Sequence, residues 1–128
     1  MTQATGTFEI ALTPTNHAPD ASLGSLAMDK TYHGGLEAAA KGEMLSAGNP
    51  ASGNAGYVAI ERITGTLEGK AGSFALIHLG TMTAGNAPSM NVLISPGSGT
   101  GALEGISGTM TIVREGGKHS YVLEYALG

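Results

Sequence analysis

Glu61 and His78 are the residues of this sequence best suited to chemistry. A carboxylate beside an imidazole in apolar surroundings can take, hold or return a proton on a bound molecule, and the phenol of Tyr57 adds a further donor. Distant in the chain, the two must be brought together by a turn. Tyr57–Leu67 and Lys70–Met82 are rich in β-branched and apolar residues, and the Glu68-Gly69 pair between them suits a two-residue hairpin connection. Counting outward from Leu67 opposite Lys70 pairs Ile63 with Phe74, Glu61 with Leu76, Ala59 with His78 and Tyr57 with Gly80. Period-two alternation then sets Tyr57, Ala59, Glu61, Ile63, Phe74, Leu76 and His78 on one face, with Glu61 and His78 diagonal neighbours about 7–8 Å apart between backbones. A bulged three-residue turn would slip the register by one and separate them.

On this count Glu61 is the expected base or anchor, and His78 its acid or orienting partner. Tyr57, Arg62, Phe74, Leu76 and Tyr121 are the candidate ligand-binding residues, although Arg62 falls on the opposite face, where it would balance charge or meet another subunit. The structural alternative is a buried Glu61 satisfied by Arg62 or His78 with no ligand involved.

The elements that must position these groups are strands. Ala4–Leu12, Leu26–His33, Lys41–Ala47, Tyr57–Leu67, Lys70–Met82, Ser89–Ser95, Ile106–Glu115 and Lys118–Leu127 read as eight strands punctuated by glycine. Leu36-Glu37-Ala38-Ala39-Ala40-Lys41 is instead a run of helix formers, compatible with a single helical turn between Gly34-Gly35 and Gly42. Eight strands without a convincing helix imply an all-β fold, a closed eight-stranded antiparallel β-barrel formed by one domain over residues 1–128. Gly116-Gly117 supplies a second tight turn that places Met110, Ile112, Tyr121, Leu123 and Tyr125 inward. The pattern G-x-L-E-G-x-x-G occurs at Gly65–Gly72 and Gly101–Gly108, with a degenerate copy at Gly35-Leu36-Glu37, and suits hairpin corners.

The outward face of the Glu61 hairpin carries Val58, Ile60, Ile77 and Leu79, more apolar than a wetted sheet face allows. Charged residues are also only 12% of the chain, so contact between subunits is expected to cover part of the surface, making a homo-oligomer. A formal charge of −4 without a basic cluster argues against nucleic acid as a partner. No apolar run approaches the ~20 residues of a membrane-spanning helix, no secretory signal opens the chain, and there is no cysteine, so a cytoplasmic protein without disulfides is expected. His17, His33, His78 and His119 are too scattered for a metal site. Gly97-Ser98-Gly99-Thr100-Gly101-Ala102 formally matches a dinucleotide fingerprint, but the required helix does not follow, and no G-x-S-x-G elbow is present. No cofactor or metal is expected. Met28, Met44, Met82, Met90 and Met110 read as core filler.

The blocks Lys30-Thr31-Tyr32-His33-Gly34, Tyr57-Val58-Ala59-Ile60-Glu61-Arg62-Ile63-Thr64-Gly65-Thr66-Leu67, Gly72-Ser73-Phe74-Ala75-Leu76-Ile77-His78, Ser98-Gly99-Thr100-Gly101 and Gly117-Lys118-His119-Ser120-Tyr121 together resemble those of a bacterial family, domain of unknown function 3224. The resemblance covers nearly the whole chain. That family is similar in fold to the allene oxide cyclase barrel, which implies a central cavity and makes oligomers unsurprising; it does not imply cyclase activity, since the catalytic glutamate of the plant enzyme has no counterpart that can be placed here. The expected function is binding of a small hydrophobic molecule in the cavity, with proton transfer of the isomerase or cyclase type open. The alternatives are a ligand carrier without catalysis and a structural oligomer whose interior is filled.

Overall fold

The computed structural model describes residues 1–128. Its strands are β1 (Thr2–Pro14), β2 (Gly24–Gly34), β3 (Leu36–Asn49), β4 (Asn54–Leu67), β5 (Lys70–Met82), β6 (Ser89–Ile94), β7 (Thr100–Gly101), β8 (Ser107–Glu115) and β9 (Lys118–Ala126), with one short 3₁₀ turn at Pro50–Ser52. Every pairing is antiparallel, and β1-β2-β3-β4-β5-β6-β8-β9 close back onto β1 as an eight-stranded barrel. The two-residue β7 is an extra strand along the start of β5. No helix is long and apolar enough to cross a membrane.

Both tight turns have the expected length. Glu68 and Gly69 take φ of 48° and 83°, and Gly116 and Gly117 take 56° and 79°; two consecutive left-handed residues match the twist of the flanking strands. The β4–β5 ladder therefore pairs Ile63 with Phe74, Glu61 with Leu76, Ala59 with His78 and Tyr57 with Gly80, the counted register.

The run of helix formers behaves differently. Leu36–Ala40 is the first part of β3, whose nine-residue ladder with β2 and fourteen-residue ladder with β4 outweigh the small intrinsic preference of alanine for helix. The repeated G-x-L-E motif also has a different meaning from a set of hairpin corners. Only Glu68-Gly69 turns a hairpin; Leu36 lies in β3 and Leu103 in the connection between β7 and β8. The three leucines share one fate, since Leu36, Leu67 and Leu103 are all buried and, with Ile106, seal one end of the barrel.

Above that seal the lower interior is solid, packed with Phe74, Leu76, Tyr32, Tyr121 and Leu123 among others. On the outer surface Val58, Ile60 and Leu79 remain 47–59% exposed in the single chain, on the face for which the sequence suggests a covering subunit. Sedimentation of an Ile60→Lys variant checks that suggestion: a shift toward monomer is expected, and a mass identical to the parent's opposes it.

Candidate functional site

The opposite end of the barrel is open. There the interior widens into a cup of about 550 Å³ whose walls include Phe8, Ile10, Met28, Met44, Tyr57 and Ile112. Gly80 makes room for the Tyr57 ring lying across it; a Cβ at Gly80 would stand 2.2 Å from Tyr57 Cε1. Met82 and Met90 stand at the mouth, 37% and 49% exposed, and Met28 and Met44 line the walls, so of the methionines Met110 is the one packed in the core cluster; thioether side chains at a rim suit a surface that adapts to what enters.

Lys30 and His78 reach the cup, and Glu61 lies behind them. Glu61 is 1% exposed and accepts from three donors: Oε1 from the Tyr32 hydroxyl in a short hydrogen bond, and Oε2 from Lys30 Nζ at 2.8 Å and from His78 Nε2 at 2.5 Å. Lys30 Nζ also donates to the Tyr32 hydroxyl at 3.2 Å and sits 4.6 Å from the centre of the Phe8 ring, a cation–π contact. Burial pushes the Glu61 carboxyl up, but the His78 hydrogen bond and the Lys30 charge outweigh it and hold the group below the ordinary carboxylate value. Glu61 is thus an ion that accepts only, so in the neutral imidazole of His78 the hydrogen sits on Nε2 and Nδ1 carries the lone pair.

No protein group pairs with that Nδ1. Every fully buried side-chain nitrogen and oxygen does have a partner, so Nδ1 is not fully buried, and His78 is one of the residues lining the cup. The parity count thus brings Glu61 and His78 together as expected, with His78 lining the cup and Glu61 behind it.

The other candidates divide. Tyr57 lines the cup, whereas Phe74, Leu76 and Tyr121 do not. The barrel is plugged below His78, so Phe74 and Leu76 are packed at zero exposure; the Tyr121 hydroxyl is used up on the backbone, accepting from Leu36 N at 3.0 Å and donating to His33 O at 3.0 Å. Arg62 points out of the barrel, as its parity requires, and donates to Ser73 Oγ at 2.8 Å. Neither a wholly filled interior nor an Arg62–Glu61 pair is found. Lys30 and Tyr32 were the residues missing from the candidates, and alternation could have found them: Met28, Lys30 and Tyr32 share the inward face of β2, and a lysine on an otherwise apolar inward face demands a carboxylate. No cluster of three or more potential metal ligands is present.

The charge state of Glu61 predicts a pH effect. A carboxyl held low in the fold stabilises it fully above the unfolded value of about 4.3, and that contribution is lost as pH falls through the lower folded value. The stability gap between the parent and Glu61→Gln should therefore narrow below about pH 4; a gap that persists unchanged into stronger acid contradicts an ionised Glu61. The phenols predict the other limb. Burial raises all four tyrosines, assisted by the Glu61 charge at Tyr32 and by the Glu68 hydrogen bond at Tyr125, which is pushed up to about 12. Their contribution is present below about pH 10 and lost above it as the unfolded chain ionises. Phenolate absorbance should then appear together with loss of the β circular dichroism; ionisation near pH 10 with the fold intact would oppose this.

With the geometry in place, comparison with known proteins adds the following. A search of curated proteins finds no match. The chain is similar to a crystal structure of a protein of unknown function from the DUF3224 family of Shewanella oneidensis MR-1, at 45% identity and a TM-score of 0.91, covering 100% of this chain and 98% of that one. The profile of the family described as protein of unknown function (DUF3224) matches residues 4–125, and on that extent the chain belongs to the DUF3224 family.

Proposed function

We propose that the open cup binds a small, largely apolar molecule whose one oxygen function meets the floor. The observation that carries this reading is the unpartnered Nδ1 of His78, a lone pair on a residue only 3% exposed, opening into an apolar cup beside the Lys30 ammonium. A hydroxyl donated to Nδ1, with its oxygen accepting from Lys30 Nζ, satisfies both groups at once, and the walls remove the rest of the ligand from water. The chemistry selects alcohols, phenols and enols over plain hydrocarbons.

Isomerisation by proton transfer is a second reading, favoured by the Glu61–His78 arrangement. A carboxylate on Nε2 orients the imidazole and stabilises the imidazolium formed if Nδ1 takes a proton, while the adjacent ammonium would stabilise a developing enolate oxygen. The same cup without turnover is a carrier, and Glu61→Gln separates the two: turnover falls with affinity retained in an enzyme, and only affinity changes in a carrier.

Titration calorimetry with 2-naphthol tests the binding itself. Saturable one-to-one binding is expected, weakened about tenfold in His78→Phe by loss of one hydrogen bond in an apolar site, and abolished in Met44→Trp, where the indole fills the cup. Absence of saturation, or binding unaffected by Met44→Trp, overturns the proposal.

A further inference from the structure

We infer that the molecule taken by the cup is an organic anion, with its acidic group held at the rim by Arg114 and its neutral oxygen on the floor. This rests on the binding reading above and adds the ligand's charge. The chain has ten carboxylic side chains and a net charge of −4, yet none of the ten lines the cup. The titratable groups that do are Lys30, His78, Arg114 and His119, with the phenol of Tyr57. An acidic protein has thus kept every acid out of its one large interior opening.

The cationic groups there are not equivalent. Lys30 is already neutralised by Glu61 at 2.8 Å, so the floor has no net charge to offer. Arg114 is exposed at the end of β8, makes no ion pair or side-chain hydrogen bond, and lies opposite His119 in the β8–β9 ladder. His119 is itself held in place by stacking on Phe8, with ring centres 5.0 Å apart. A free guanidinium above an apolar wall is a fork suited to a carboxylate or sulfonate, and the low-dielectric wall strengthens its field in the mouth. The ligand class is therefore bipolar, an acid at one end and a hydroxyl or carbonyl at the other, joined by an apolar body facing Phe8, Ile10 and Ile112.

Calorimetry with two probes of one shape distinguishes this inference from the reading beneath it. 2-Naphthoate is expected to bind the intact protein about tenfold more tightly than 2-naphthylmethanol, and added salt should weaken the naphthoate alone. Arg114→Gln, at an exposed position with no partners, should remove most of the preference for the acid and leave the alcohol within about twofold of its original affinity. Equal affinities in the parent overturn the anion, and a preference for the acid that survives Arg114→Gln overturns its placement on Arg114; both leave the cup standing. Binding of neither probe overturns both.

Discussion

Lys30→Met should lower the stability of the barrel by about 3–5 kcal/mol, and Glu61→Gln by a similar amount, while the double variant should lose clearly less than the sum. Each single change leaves one buried charge without its counter-ion: Glu61 at 1% exposure keeps only the Tyr32 and His78 hydrogen bonds, and Lys30 at 5% exposure keeps only neutral acceptors and the Phe8 ring. Removing both charges removes the desolvation that made each survivor costly. A buried ion pair adds little net stability over a well-packed apolar pair, so its presence is better explained by what it fixes, the direction of His78, than by the energy it contributes. Denaturant unfolding of the four proteins measures the coupling. Strict additivity would mean that the two groups do not act as a pair.

Phe74→Ala should also cost about 3–5 kcal/mol, and it separates the packed half of the barrel from the open half. The ring is at zero exposure among the residues above the leucine seal, so truncation leaves a cavity that the rigid ladders of β4, β5 and β6 cannot close. Yet Phe74 does not line the cup. The variant, measured under conditions where it is folded, should bind 2-naphthol as the parent does. A large loss of affinity with little loss of stability would return Phe74 to the ligand contacts and place the cavity deeper than the structure has it.

The contrast between these two experiments reflects what the sequence made legible. The β4–β5 register followed from one turn, because two consecutive left-handed residues at Glu68 and Gly69 leave no freedom in parity, and every inward residue of that hairpin came with it. Depth was not legible in the same way. Alternation says that Phe74, Leu76 and His78 face inward, but only the Leu103 and Ile106 plug decides which of them meet a cavity, and that plug comes from a segment that reads as turns. Lys30 and Tyr32 were missed for a related reason: β2 has no tight turn fixing its register to β4, so its inward lysine could not be matched to Glu61 by counting. Leu36–Ala40 shows the reverse error, a local preference overruled by ladders on both sides.

The central claim is that Glu61 holds the His78 hydrogen on Nε2 and presents a bare Nδ1 to the cup. Long-range proton–nitrogen NMR of the imidazole, recorded at neutral pH with and without 2-naphthol, reads this directly. The structure predicts a protonated Nε2 and an unprotonated Nδ1 whose resonance moves when the naphthol is added; a hydrogen on Nδ1 in the free protein, or an Nδ1 resonance indifferent to a bound naphthol, would contradict it.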